Sequence, residues 1–142
     1  MKINTIGTPD VNIWVTSDTH YNHTNICRGV SKWDTSRPGN TRDFDTLEKM
    51  NSTLVDNINK CVGQKDILIH DGDWSFGGFE SIEEFRRRII CENVHLVFGN
   101  HDHHIRNNKN NVRDLFTSCH KILDLQITTP KWKRQFVITH FP

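Results

Sequence analysis

Four short apolar runs along the chain each stop abruptly at polar side chains. The runs occupy residues 13–15, 67–69, 94–98 and 136–138, and each has the composition of a buried β-strand. The polar residues that follow are, in order, Asp18-Thr19-His20, His70-Asp71-Gly72-Asp73, Gly99-Asn100-His101-Asp102 and Thr139-His140. Because open α/β sheets place their chemistry at the carboxyl edge of their strands, we expect these side chains to lie close together.

Helical spacing alternates with these strands. Between residues 41 and 62, apolar side chains recur every three or four positions, which predicts a helix that begins at Thr41 or Asp43. A second helix is predicted from Ser81, because Glu84 completes a Ser-x-x-Glu capping box there. The predicted strands cover residues 12–16, 66–70, 94–98, 123–127 and 132–139, and a short helix covers residues 112–116.

The order of strand, helix, strand, helix, strand is typical of parallel strands joined by right-handed crossovers. We therefore predict an α/β fold in a single domain over residues 1–142, with a long functional loop over residues 18–40. Apolar residues make up 35% of the chain and charged residues 25%, which is typical of a soluble globular domain.

Charge and cysteine content exclude several classes of protein. The net charge of +1 gives no electrostatic basis for binding nucleic acid or an anionic membrane. No apolar stretch approaches the ~20 residues that span a bilayer. The four cysteines lie far apart and the chain starts without the apolar segment of a signal peptide, so we expect reduced thiols in a cytoplasmic protein. The unusual feature is nine histidines, several of them beside Asp or Asn.

The side chains at the predicted strand ends are metal ligands. Residues i and i+2 of an extended segment point the same way, so Asp18 and His20 can hold one ion together. Asp73 has two carboxylate oxygens and is the natural bridge to a second ion, to which Asn100 adds an amide oxygen and His140 an imidazole. This mixture of nitrogen and oxygen ligands favours Mn, Fe, Zn, Ni or Co over calcium. The sequence therefore predicts two divalent metal ions.

A centre of this kind suits chemistry at phosphorus. Two ions about 3.5–4 Å apart can activate a water and hold the attacking and leaving oxygens of an in-line displacement. His101 follows Asn100 and is expected to protonate the departing alkoxide or to neutralise the phosphoryl oxygens, with Asp102 orienting its ring. The predicted substrate is a phosphomonoester or phosphodiester, with nucleotides among the candidates.

In their order, these motifs resemble those of the calcineurin-like metallophosphoesterases. The likeness begins at about residue 13 and extends to a small bacterial and phage branch of that family, through residues 18–26, 37–38, 57–59, 72–77 and 139–142. The resemblance implies two mixed β-sheets packed as a sandwich flanked by helices. It also implies one ion held by Asp18, His20 and Asp73, a second held by Asp73, Asn100 and His140, and a location in the cytoplasm of a bacterial or phage-infected cell.

One motif of the calcineurin-like metallophosphoesterases is absent from this sequence. A Gly-His-x-His motif supplies one more histidine to each ion in that family, and this sequence ends at Pro142 before such a motif occurs. We therefore expect a C-terminally truncated form that binds metal more weakly and exposes a sheet edge, which favours self-association. The alternative function is a catalytically impaired metal-binding or scaffold domain.

Several further polar residues have two interpretations each. His23 and Asn25 either contact the substrate or pack within the loop, and Asp71 is expected to support the neighbouring ligands. His103 and His104 either replace the absent ligands or are solvated residues at the start of a helix. The basic residues 131–134 suggest either single-stranded nucleic-acid binding or a charged hairpin, and the net charge favours the hairpin.

Overall fold

Seven strands and three helices form the described part of the chain, which in this computed structural model comprises residues 1–4, 10–37 and 39–141, with only the backbone of Ile3 and Asn4. The strands are β1 (Lys2–Asn4), β2 (Ile13–Thr16), β3 (Ile67–Asp71), β4 (Asn93–Val97), β5 (Ser118–His120), β6 (Leu123–Thr128) and β7 (Lys133–Ile138). The helices are α1 (Leu47–Cys61), α2 (Phe79–Arg88) and α3 (His103–Arg106), with 3₁₀ turns at Thr24–Ile26, Arg28–Val30 and Lys109–Leu115. Pro38 and Pro142, which belong to the resembling segments, lie outside the described residues.

The strands form two sheets. The larger has the order β2-β3-β4-β5, and all of its neighbours are parallel. The smaller has the order β1-β6-β7, in which β1 is parallel and β7 antiparallel to β6. The predicted α/β fold with two sheets is confirmed, and the antiparallel pairing of β6 with β7 agrees with the hairpin interpretation of the basic residues 131–134. Two mixed sheets were predicted, but among the described strands the larger sheet is entirely parallel and the smaller sheet is mixed. The larger sheet is parallel because each of its strands is joined to the next by a crossover connection.

Side chains alternate across the larger sheet and build two apolar layers. Leu68 and Val94 face α1 and α2, where they pack with Val55, Ile82 and Phe85. From the opposite face of the same sheet, Ile69 and Val97 pack against Leu123, Leu125 and Ile127 of the smaller sheet. Each of these buried side chains contributes roughly 1.5–3 kcal/mol by leaving water. The fold therefore has three layers, with helices outside, a parallel sheet in the middle and the smaller sheet beyond it.

Both long helices begin elsewhere than predicted. The N-cap of α1 is Thr46, whose hydroxyl accepts the Lys49 N–H at 3.2 Å. Residues 41–45 instead belong to the preceding loop, where the Arg42 N–H donates to the Ile26 carbonyl. The helix α2 begins after Gly78, whose φ of 77° suits glycine, and Ser81 therefore lies inside the first turn rather than at the cap.

The two shortest strands, β1 and β5, were not predicted because three residues are too few for an alternating pattern. The four cysteines are free thiols, of which Cys27 and Cys91 are buried and Cys61 is exposed. Within residues 1–4, 10–37 and 39–141, no helix combines the length and the apolar content needed to cross a membrane.

Candidate metal centre

The loops that follow β2 and β3 are joined by backbone hydrogen bonds. The Asp18 N–H donates to the Gly72 carbonyl at 3.0 Å, and the His20 N–H donates to the Asp73 carbonyl at 2.9 Å. Since β2 and β3 are parallel neighbours, both loops leave the sheet at its carboxyl edge. The structure brings Asp18, His20 and Asp73 together there, with one ligand atom from each lying within 4.8 Å of the others.

The Oδ2 atom of Asp73 lies at the centre of this cluster. It is 3.4 Å from the Nε2 atom of His20, 3.6 Å from that of His140 and 4.0 Å from that of His101. The Oδ1 atom of Asp18 lies 3.5 Å from the same nitrogen of His20. Three imidazoles from three different loops therefore face one oxygen of a carboxylate that is only 3% exposed.

These separations fit ligands that share a cation better than they fit direct hydrogen bonds. They exceed the 2.7–3.2 Å of a good N–H···O bond. Two ligand atoms that each lie about 2.1 Å from one ion at a tetrahedral angle are about 3.4 Å apart. The nitrogen and oxygen donors are also those that Mn, Fe, Zn, Ni and Co accept. The residues present therefore fit a divalent transition-metal ion.

The tautomer of His140 supports the same conclusion. Its Nδ1 atom lies 2.6 Å from the Asp71 carbonyl oxygen and must donate to it, which leaves the lone pair of Nε2 facing Asp73. A lone pair opposite a carboxylate oxygen needs a proton or a cation between them. Burial opposes protonation, but the Asp71 carbonyl and the charge of Asp73 outweigh it, so the pKa of His140 lies above its ordinary value.

The ionisation of Asp18 and His20 also suits metal binding. Burial is the main reason that the pKa of His20 lies below its ordinary value, which favours the neutral ring that coordinates metals. Burial opposes ionisation of Asp18, but the Ser17 hydroxyl and the charges of His140 and His20 outweigh it, and the pKa of Asp18 is lowered. Both groups therefore take their ligand forms near neutral pH.

The backbone of the centre is left-handed at its key positions. Asp18 has a φ of 53°, His20 of 47° and Asp73 of 57°, a region that residues other than glycine rarely occupy. Asp18 and His20 do lie together, as predicted, but the reason given was wrong, because their segment is left-handed rather than extended. Such strain persists where surrounding contacts impose it, which is common at functional sites.

Gly72 allows the centre to close. Its φ is +85°, and a Cβ atom there would lie 2.5 Å from the Nδ1 atom of His140 and 2.6 Å from the Gly99 nitrogen. The loop after β3 thus passes directly against both the last ligand and the loop after β4. Any side chain at this position would push the three segments apart.

The carboxylate of Asp102 holds the loops after β3 and β4 together. The prediction was that it would instead orient the His101 ring. Its Oδ2 atom accepts the N–H groups of Asp73 and Gly99, both at 2.8 Å, and its Oδ1 atom accepts that of Trp74 at 2.9 Å. Burial raises the pKa of Asp102, and these three N–H groups partly offset that effect. The role expected for this residue is therefore corrected: it fixes the backbone on which Asp73 is carried.

His101 lies on the open side of the centre, and Asn100 precedes it in the loop after β4. The His101 N–H donates to the Oδ1 atom of Asp73 at 2.9 Å, and its side chain is 43% exposed. That bond leaves Oδ2 as the oxygen of Asp73 that is directed at the imidazoles, so this atom would serve as a metal ligand. Asn100 is exposed, and its amide forms no hydrogen bond with the described residues.

The three residues predicted to assist the centre differ in their contacts. The His23 ring stacks on Phe76 with centroids 3.7 Å apart, beside His20. Asn25 stabilises the loop, since its side chain accepts the Lys32 N–H at 3.2 Å. The backbone carbonyl of Asp71 orients the His140 ring. Burial raises the pKa of the Asp71 carboxyl, and the Oδ1 atom of that carboxyl has no hydrogen-bond partner among the described residues.

Two residues near the centre were not found from the sequence. Arg42 donates to the carbonyl oxygens of Asp18 and Thr19, both at 2.6 Å, and so fixes the strained turn. The Phe76 ring contacts His20 and His101, with centroids 5.4 and 4.7 Å away. Neither residue belongs to a recognisable ligand motif, so only the folded loops reveal them.

The remaining histidines considered from the sequence lie outside the cluster. His70 is fully buried and contacts the Thr19 hydroxyl at 2.8 Å. The rings of His103 and His104 lie against each other in α3, with centroids 4.1 Å apart. Within the described residues, neither of these two belongs to the group that could hold a metal ion.

Comparison with known proteins agrees with this geometry. An uncharacterized protein of Methanocaldococcus jannaschii is 35% identical over 92 residues, which are 63% of this chain and 46% of that protein. This chain thus spans about half the length of that relative. No solved structure matches the chain. The model of the calcineurin-like phosphoesterase family matches residues 11–140, so this chain belongs to the calcineurin-like phosphoesterases.

Proposed function

We propose that this protein is a metal-dependent phosphoesterase that hydrolyses a phosphomonoester or phosphodiester at a centre of two divalent ions. The observation that carries the proposal is the Oδ2 atom of Asp73, which faces the Nε2 atoms of His20, His140 and His101 at 3.4–4.0 Å. Membership of the calcineurin-like phosphoesterases supports a hydrolase acting on phosphate esters.

Two sets of ligands meet at Asp73 in this proposal. Asp18, His20 and Asp73 would hold one ion, and Asp73, Asn100 and His140 the other. When bound, such ions supply a nucleophile from water at neutral pH and positive charge opposite the phosphoryl oxygens. The loops are held for this role by Asp102 and Arg42, through hydrogen bonds to their backbone.

His101 is the residue best suited to act on the substrate. Its ring is the most exposed of the three imidazoles around Asp73, and its backbone is anchored to that carboxylate. It would donate a proton to the oxygen of the leaving group, or a hydrogen bond to a phosphoryl oxygen. The adjacent Phe76 ring packs against one side of the His101 ring, with centroids 4.7 Å apart.

The test is turnover of p-nitrophenyl phosphate and bis-p-nitrophenyl phosphate with added Mn²⁺. Asp73→Asn should abolish both turnover and metal binding. His101→Ala should bind metal normally but lower kcat by about 10²–10⁴, the usual contribution of a general acid. His103→Ala is the matched control, because His103 is exposed and lies outside the cluster.

The alternative is a metal-binding or scaffold domain without turnover. Stoichiometric binding of Mn²⁺, lost in Asp73→Asn, together with no hydrolysis of either ester would reject the phosphoesterase and support this alternative. Equal turnover by wild type and Asp73→Asn would reject the centre itself.

A further inference from the structure

A second concave surface lies beside the metal centre. It encloses about 440 Å³ and is lined by Phe98, Arg106, Lys121, Ile122, Thr139 and Phe141. None of these is a proposed ligand, yet Phe98 directly precedes the loop of Asn100 and His101, and two of the others flank His140. The segments that carry candidate ligands therefore also form walls of this cavity.

The other walls reach the same edge of the sheet through β5. This strand is parallel to β4, and the Phe98 N–H donates to the carbonyl of its last residue, His120, at 2.9 Å. Lys121 and Ile122 follow directly, so they leave the sheet where the ligand loops do. The Arg106 guanidinium joins them by donating to the Gly99 carbonyl at 3.3 Å.

The lining combines positive charge with apolar surface. Within residues 1–4, 10–37 and 39–141, neither Arg106 nor Lys121 forms an ion pair with a carboxylate. Ile122 is 63% and Phe141 49% exposed, which is high for large apolar side chains. A ligand with a flat apolar ring and an anionic group would cover these apolar side chains and neutralise both cations. The volume lies within the 300–1,000 Å³ of sites for small molecules.

We infer that this cavity binds the nucleoside of a substrate that carries two phosphates. The scissile phosphate would lie at Asp73, the nucleoside between Ile122 and Phe141, and the second phosphate against Arg106 and Lys121. This inference rests on the proposed phosphoesterase function and narrows its substrate class to nucleotides with a second phosphate. Small phosphomonoesters would leave the cavity empty.

The test measures the affinity of adenosine 3′,5′-bisphosphate and of inorganic phosphate for the Mn²⁺-loaded protein by titration calorimetry. Lys121→Gln removes one cation from an exposed side chain and should weaken bisphosphate binding about tenfold. The loss of affinity for inorganic phosphate should be smaller, since the Mn²⁺-loaded centre at Asp73 would hold a single phosphate without this cavity, and turnover of p-nitrophenyl phosphate should change less than about twofold. Arg106→Gln is a second variant, and Lys133→Gln on β7 is the matched control for loss of an exposed lysine.

Unchanged bisphosphate affinity in both Lys121→Gln and Arg106→Gln would overturn the inference, as would an equal loss in Lys133→Gln. The two proposals can fail separately. Turnover of p-nitrophenyl phosphate with unchanged bisphosphate affinity in the variants would reject the cavity but keep the phosphoesterase. Specific loss of affinity in Lys121→Gln, without turnover by wild type, would keep the nucleotide site and reject the hydrolysis.

Discussion

The Nδ1 atom of His140 lies 2.6 Å from the carbonyl oxygen of Asp71, so a main-chain group sets the tautomer of this ring. The bond joins the end of β3, in the larger sheet, to the segment after β7, in the smaller sheet. The position of the His140 nitrogen relative to Asp73 therefore depends on how the two sheets pack. The ligand geometry is a property of the whole fold rather than of one loop.

Replacing His140 should weaken metal binding without unfolding the protein. His140→Ala removes the imidazole nitrogen that faces Asp73 and would bind the ion, so the affinity for Mn²⁺ should fall at least about tenfold. Titration calorimetry measures this affinity, with His103→Ala as the control. Unchanged affinity in His140→Ala would show that this ring takes no part in the centre.

Gly72 should be far less tolerant of alanine than another glycine with the same backbone requirement. Gly39 has a φ of +89°, and a Cβ atom there would meet no described residue within 4 Å, whereas Gly72 at +85° would bring its Cβ against His140. Gly39→Ala should therefore show only the penalty of the left-handed backbone, about 1–2 kcal/mol. Gly72→Ala should lose more stability in urea unfolding and also lose Mn²⁺ affinity. Equal losses for the two variants would contradict the crowding.

The Asp102 carboxylate should matter for stability before it matters for catalysis. Asp102→Asn places an amide NH₂ group opposite a backbone N–H donor, so at least one buried hydrogen bond is lost. The expected decrease in unfolding free energy is about 1–3 kcal/mol. Asp114→Asn, an exposed control, should change little. A large fall in kcat at unchanged stability would instead support a role for Asp102 in orienting His101.

His70 should make the protein less stable in acid. Burial lowers the pKa of His70 from 6.5 to about 3 in the folded chain. As the pH falls below 6.5, the unfolded chain therefore binds a proton that the folded chain does not. The free energy of unfolding should decrease through this residue by about 1.4 kcal/mol per pH unit between roughly pH 6 and 4.

His70→Gln is the variant that checks this pH dependence, because glutamine has no titratable group and can still contact Thr19. Urea unfolding at several pH values should give a shallower slope for His70→Gln than for wild type. Thr35→Gln, an exposed control that changes no titratable group, should keep the slope of wild type. The same slope in all three proteins would contradict a neutral, buried His70.

The sequence predicted the edge of the sheet at which the centre lies, because each apolar run is long enough to identify a buried strand. It did not predict the start of α1, since the periodic apolar pattern continues into residues that the fold uses as a loop. Arg42 lies in that loop, where its guanidinium contacts the carbonyl oxygens of Asp18 and Thr19, while the helix begins after its N-cap Thr46.

Roles within the centre were harder to predict than membership of it. Asp102 follows His101 in the chain, which favoured contact between the two side chains, but its carboxylate turns to the backbone of the loop after β3. The direction of a side chain in an irregular loop does not follow from its spacing in the sequence. The same limit applies to the cavity of Lys121, whose walls come from four separate segments.

His20 and His140 face the same oxygen of Asp73, but they are held differently on the far side of their rings. The Nδ1 atom of His140 is bonded to a carbonyl, whereas that of His20 is buried without a hydrogen-bond partner among the described residues. The His140 ring is thus aligned by a hydrogen bond to the main chain, whereas the His20 ring is positioned by its contacts with neighbouring rings such as Phe76. In the proposed centre of two ions, the position that includes His140 should consequently load first, and the position that includes His20 should respond more strongly to the choice of cation.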